Sequence, residues 1–308
     1  MNWRAVVPGF GFAALALVPL AARWGPEAYA LNLATRALIF ALAAMSLQFM
    51  LGCGGLVSFG QAAYLGLGAY AAAILARYGG GDLLLEAGTA IPAAALFAVA
   101  TSAISLRAKG VYYIMSTLAF GQMLYFFFVS LSALGGDDGV TLDARARLAG
   151  TDWLASDRAF YYAALAALAL GYLLLDRIVG SRFGRVLGAI RQNPLRVRAL
   201  GFEPFRYQLA ACAISAALCA VAGVLLANLN SFVSPAFMTW QRSGDLIVMT
   251  VLGGVGSLGG AILGALAYLL ASELVSTYTE HSGLWIGPAL VLVALRGRGL
   301  AGLVGGGR

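Results

Sequence analysis

Runs of about twenty apolar residues recur along this chain from one end to the other, separated by short polar stretches. That recurrence limits the fold more than any motif does. Inside a bilayer the backbone has no water to bond with, so only helices and closed barrels can cross. The runs do not alternate with period two, which sets strands aside and leaves helices. Composition agrees: the mean hydropathy is +0.86, and 11% of residues are charged, against about 25% in a soluble domain. The chain reads as an all-α, polytopic helical membrane protein with one transmembrane domain over residues 1–308.

A crossing takes about 20 residues. Spans are expected near 5–22, 28–51, 55–76, 87–106, 111–134, 159–179, 207–228, 243–257, 260–279 and 284–297. The eighth and tenth are short, so about ten spans are expected within a range of eight to ten. Arg4 followed by the apolar run from Ala5 to Ala22 resembles a signal peptide, but no small-residue cleavage site closes the run. A retained first span is the expectation.

Loop charge sets the orientation. Arg107 and Lys109 form one basic break, and residues 135–158 carry five acids against three arginines. Seven arginines (Arg177, Arg182, Arg185, Arg191, Arg196, Arg198 and Arg206) then fall within thirty residues, with Glu203 the one acid among them. The tail adds Arg296, Arg298 and Arg308. With basic loops inside, ten spans place both termini and the 180–206 loop in the cytoplasm. The net charge of +7 then reports topology, and nucleic-acid binding is not expected.

Several searches for chemistry return nothing. The three cysteines, Cys53, Cys212 and Cys219, lie in apolar stretches without a CxxC, and His281 is the only histidine. Packing is the expectation for the cysteines, and no metal site is expected. Gly254-Val-Gly256-Ser-Leu-Gly259 fits GxGxxG in form only, because that fingerprint has meaning between a strand and a helix. A phosphate-binding P-loop needs a lysine, and the only one is Lys109, followed by Gly110. Energy for active transport therefore has to come from a partner or an ion gradient. Ion-driven carriers place ionisable relays inside their spans; Arg36, Asp245 and Glu273 are the candidates here, and they form no relay pattern.

Small residues recur at intervals of four, at Ser58-Ala62-Gly66, Gly68-Ala72-Ala76 and Gly256-Gly260-Gly264, as expected of closely crossing helices in lipid. The segment 55–70 is glycine-rich and suits partial unwinding. Phe59-Gly60-Gln61 and Phe120-Gly121-Gln122 repeat, and each sets an amide in a span. Ser58, Gln61, Thr117 and Gln122 are the candidate pathway residues.

The arginine-rich loop reads as two short helices. Phe183, Leu187 and Ile190 share one face over 182–192. Asn193 then suits an N-cap and Pro194 a first helical position, so a second helix is expected over about 194–200, stopped by Gly201. Such a loop suits either docking to another protein or lying on anionic lipid.

Four passages carry a resemblance: GLVSFGQAAYLGLGAYAAAIL (55–75), KGVYYIMSTLAFGQMLYF with GGDDGV (109–126, 135–140), SRFGRVLGAIRQNPLRVRALGF with YQLAACAISAALCAVAGVLLA (181–202, 207–227), and VMTVLGGVGSLGGAILGA (248–265). They resemble the inner-membrane permeases of ABC importers for branched-chain amino acids, in their LivM-like branch. The resemblance implies an importer permease fold in a bacterial inner membrane, in which the 180–206 loop couples to an ATP-hydrolysing subunit. The coupling residues so implied are Phe183, Leu187 and Ile190 as an apolar seam, with Arg185, Arg191, Gln192 and Asn193 as polar contacts. The implied partners are a second, LivH-like permease subunit, two cytoplasmic ATP-binding subunits and an extracytoplasmic substrate-binding protein. ATP and magnesium would be used by those subunits, with no cofactor in this chain. Pro194 stands where the family often has an acid and Gln61 where it often has histidine, which leaves urea or short amides beside leucine, isoleucine and valine as substrates.

Overall fold

In the computed structural model of the protein, the described residues are 15–19, 27–79, 81–142, 144–148, 150–278 and 287. Most of the expected first span, all but one residue of the expected tenth, His281 and the tail arginines lie outside them.

Among the described residues ten α-helices of six residues or more follow in order: α1 (Glu27–Gln48), α2 (Gln61–Arg77), α3 (Leu83–Ser105), α4 (Val111–Ser130), α5 (Asp157–Gly180), α6 (Arg182–Gln192), α7 (Pro194–Ala199), α8 (Pro204–Asn230), α9 (Trp240–Gly253) and α10 (Leu258–Tyr278). Among the described residues six helices are long and apolar enough to cross a membrane: α1 with its extension, α3, α4, α5, α8 and α10. α2 and α9 fall in expected spans but are shorter, at 17 and 14 residues. Six span-length helices stand among the described residues against the expected count of about ten, and most of the expected first and tenth spans lie outside those residues.

Burial sorts these helices. The most apolar stretch of α1 is 83% buried and that of α8 61%, against 22% in each of α3, α4 and α5. The first two are inner helices, and the others expose Leu96, Ile104, Met115, Phe126 and Leu170, side chains as apolar as lipid tails. α8 is the axis, packed against α2, α3 and α1, while α1 also packs on α5, α9 and α10. The α2–α8 crossing is closed by glycine on both sides: a Cβ on Gly68 would overlap the carbonyl of Ala220, and one on Gly223 the carbonyl of Leu65. Such close approach is how helices associate in lipid without a hydrophobic driving force between them.

The two ends of the bundle differ. At one, α6 and α7 fold beneath α5 and α8. At the other, the described residues between 131 and 156 form a cap held by the antiparallel pair β1 (Val140–Thr141) and β2 (Phe232–Val233), with Val140 opposite Val233. Leu83 N donates to Arg147 O at 2.8 Å and Leu142 N to Ser231 O at 2.9 Å, tying the cap to α3 and to the end of α8.

Candidate translocation and coupling sites

α1 does not end cleanly. Its last turn widens into a π-helix, Phe49–Cys53, and residues 55–60 run without helix before α2 begins at Gln61. The expected unwinding of 55–70 is thus confined to its first part. α2 starts well inside the bundle, because Gln61 meets residues deep in α1 and α8. Its Nε2 donates to Ser46 Oγ (2.9 Å) and Ser215 Oγ (3.1 Å), and Ser215 Oγ donates to the carbonyl of Ser46 at 2.7 Å. Ala62 N donates to Ser243 Oγ of α9 at 3.0 Å, satisfying one of the N–H groups a helix start leaves open. Gln61 is fully buried, and its Oε1 has no hydrogen-bond partner.

The other pathway candidates divide. Thr117 Oγ1 accepts from Phe59 N at 3.2 Å and donates to Ile114 O at 2.9 Å, so it joins α4 to the unwound segment. Ser58 Oγ accepts from Gly60 N at 3.1 Å, a local turn. The two Phe-Gly-Gln copies meet at their glycines: a Cβ on Gly121 would lie 3.5 Å from Gly60 Cα. Gly60, Tyr64, Thr101 and Thr117 line a pocket there, with room for about one water. Gln122 is half-buried on α4 and lies outside that pocket. Sequence reasoning missed Ser46, Ser215 and Ser243, since a lone hydroxyl in an apolar span carries no pattern.

Of the ionisable candidates, Asp245 accepts from Tyr268 OH at 2.8 Å with Arg242 at 3.8 Å, and Glu273 accepts from Tyr29 OH. Arg36 lies 6.0 Å from the Phe40 ring, its buried Nε unpartnered. These three form no shared cluster. Glu86, fully buried at the start of α3, was missed because the expected span opened one residue later. Cys212 packs between Met50 and Tyr113.

The basic loop folds as its punctuation suggests. Ser181 caps α6 and Asn193 caps α7, with Asn193 Oδ1 accepting from Leu195 N and Arg196 N, both at 3.1 Å. Gly201 follows with φ +86°. The apolar seam of α6 faces inward. Leu187 and Ile190 are 0% and 2% exposed, buried against the protein's own body, and Phe183 stacks on Tyr207 with ring centres 5.5 Å apart. An amphipathic helix turns its apolar face to the nearest dry surface, and the bundle supplies it here.

Arg191 is also partly committed: its Nη1 donates to Gly52 O, and its stem covers Gly55, where a Cβ would meet Arg191 Cγ at 2.9 Å. Gln48, one turn back on α1, faces the α9–α10 turn. With its amide oxygen toward that turn it accepts from Gly256 N and from Ser257 N, the latter at 3.1 Å. The GxGxxG stretch is therefore a helix–helix turn. What α6 and α7 leave outward is Arg185, Gln192, Asn193 and the apolar Leu195, Leu200 and Phe202, 72%, 71% and 42% exposed. Phe202, Arg198 and Phe205 edge an open groove of about 470 Å³.

The described residues thus form a many-helix membrane bundle with a broken inner helix and a folded basic loop. Residues 29–295 match the family described as the permease component of branched-chain amino acid transport systems, and the chain belongs to that family. It is 30% identical over 310 residues to the high-affinity branched-chain amino acid transport system permease protein LivM of Escherichia coli (strain K12), covering 91% of this chain and 72% of that one. It is 31% identical over 153 residues to a probable LivM of Methanocaldococcus jannaschii (48% and 43% covered). It is also 34% identical over 119 residues to the LivH permease of Escherichia coli (strain K12) (37% and 38%). No solved structure matches the chain.

Proposed function

We propose that this chain is a permease subunit of an ATP-binding-cassette importer that carries branched-chain amino acids across the bacterial inner membrane. It would pair with a second homologous, LivH-like permease, two cytoplasmic ATP-hydrolysing subunits and an external binding protein. The family match across 29–295 carries this reading, and the folded basic loop supports it. The loop end faces the cytoplasm, in keeping with the arginines there, and the cap end faces outside.

The geometry offers a route for the motion. An ATPase subunit grips the outward side of α6–α7, at Arg185, Gln192, Asn193, Leu195, Leu200 and Phe202. The inward side is already fixed, through Leu187, Ile190 and the Arg191–Gly52 bond, to the π-helical end of α1. Force on the loop is thereby delivered beside the unwound 55–60 segment, which leads into Gln61 at the start of α2 and is bonded to Thr117 of α4. A zwitterion with an apolar tail needs a few amides and hydroxyls along an apolar way, which is what Ser58, Gln61 and Thr117 supply with no charge. Such groups suit weak passage, with selectivity held by the external protein.

Reconstitution of the assembled complex tests this. ATP-dependent leucine uptake that requires the binding protein is expected. Uptake by this chain alone on an ion gradient would sink the reading, and uptake of urea or acetamide in place of leucine would move the substrate. Arg185→Glu should leave the complex inserted but cut uptake about tenfold or more, with hydrolysis no longer matched to transport.

A further inference from the structure

Among the described residues, Glu86 is the one charged side chain that is fully buried. It sits in the first turn of α3, and below it Ala90, Ala94 and Ala98 follow at four-residue steps, each 0% exposed. This is the face α3 turns to α8 and α2. A ladder of identical methyl groups has a weakness: shifted by one turn, it presents nearly the same surface. Such a contact permits sliding and does not define register. A single buried polar pair is the known way to define it.

Glu86 makes that pair. Its Oε2 accepts from Asn228 Nδ2 at 2.7 Å, near the end of α8. The same Nδ2 reaches Val224 O at 3.0 Å, and Asn228 Oδ1 accepts from Ala146 N of the cap at 2.7 Å. One amide thus joins the α3 ladder, the α8 axis and the cap. Glu86 Oε1 has no hydrogen-bond partner. Leaving half a carboxylate idle in a dry site is a poor way to glue two helices. It does leave an acceptor ready for another donor when the helices shift.

We propose that Glu86 and Asn228 are a latch at the outer end of an alanine slide, holding α3 in its resting register on α8 until the binding protein presses on the cap. The inference rests on the importer reading above. Both residues act by positioning helices; neither is assigned contact with substrate.

The test uses the whole complex in proteoliposomes, with and without leucine-loaded binding protein. Asn228→Leu should raise hydrolysis in the absence of binding protein at least fivefold, abolish its further stimulation and lower uptake at least tenfold. Glu86→Leu, which leaves Asn228 bonded to Ala146 and Val224, should do the same. Glu86→Gln, which keeps an acceptor for Nδ2, should restore dependence on the binding protein. A purely structural pair would instead lower hydrolysis, uptake and recovered complex together. If hydrolysis in both leucine variants, or in Glu86→Leu alone should Asn228→Leu not assemble, still depends on the binding protein as in wild type, the latch is overturned. A wild-type complex that ignores the binding protein refutes the importer reading instead.

Discussion

Single positions in this bundle have sharply different tolerances, and neighbouring atoms set them. Gly223 has no room for a side chain, because a Cβ would run into the Leu65 carbonyl. Gly223→Val should therefore force α2 off α8 and lower the melting temperature of the assembled complex by roughly 10 °C or more, read by fluorescence-detected size exclusion. Gly88, in the second turn of α3, has nothing within 4 Å of its would-be Cβ; Gly88→Ala should hold or raise that temperature, since alanine favours helix over glycine by about 1 kcal/mol. Gln61 lies between these cases. Gln61→Leu removes the tie to Ser46 and Ser215, yet both hydroxyls keep backbone acceptors at Ala43 and Ser46. A loss of about 1–2 kcal/mol in stability is expected, against at least a tenfold loss of uptake if the start of α2 must move with its neighbours. Equal losses in recovered complex and in uptake would argue for packing alone. Gln61 was visible in the sequence as an amide in an apolar span. Its partners were not, being 15 and 154 positions away, where spacing carries no information.

At the scale of elements, local punctuation was legible and facing was not. Asn193-Pro194 and Gly201 marked the ends of α7 because caps and left-handed stops are set by adjacent atoms. The pattern Phe183-Leu187-Ile190 gave α6 an apolar face but could not say whether that face met a partner or the chain's own bundle. Position relative to α1 decides that, and long-range packing alone supplies it. Glu86 was hidden too: the expected span opened at residue 87, whereas α3 begins at Leu83. The α7 cap makes a separate prediction. Asn193→Ala should cost about 1 kcal/mol of local stability and weaken ATPase binding severalfold in pull-down titrations, while Asn193→Asp, which caps as well, should restore it.

For the whole molecule, the broken α1–α2 hairpin has a consequence for biogenesis. α2 covers 17 residues, about 25 Å of helix, short of the hydrocarbon thickness of about 30 Å. It follows six residues of unwound backbone whose polar groups lipid cannot satisfy. As the nascent chain leaves the ribosome, α1 and α2 have to enter the bilayer as one unit, with the Gln61 amide still lacking Ser215. That partner arrives only when α8 is made. Until then the apolar hairpin holds Gln61 through Ser46 alone, and its early insertion is expected to gain from shelter by an insertase. Chains truncated before α8 should be drawn to membrane proteases, and pulse-chase degradation should slow sharply once translation passes residue 230.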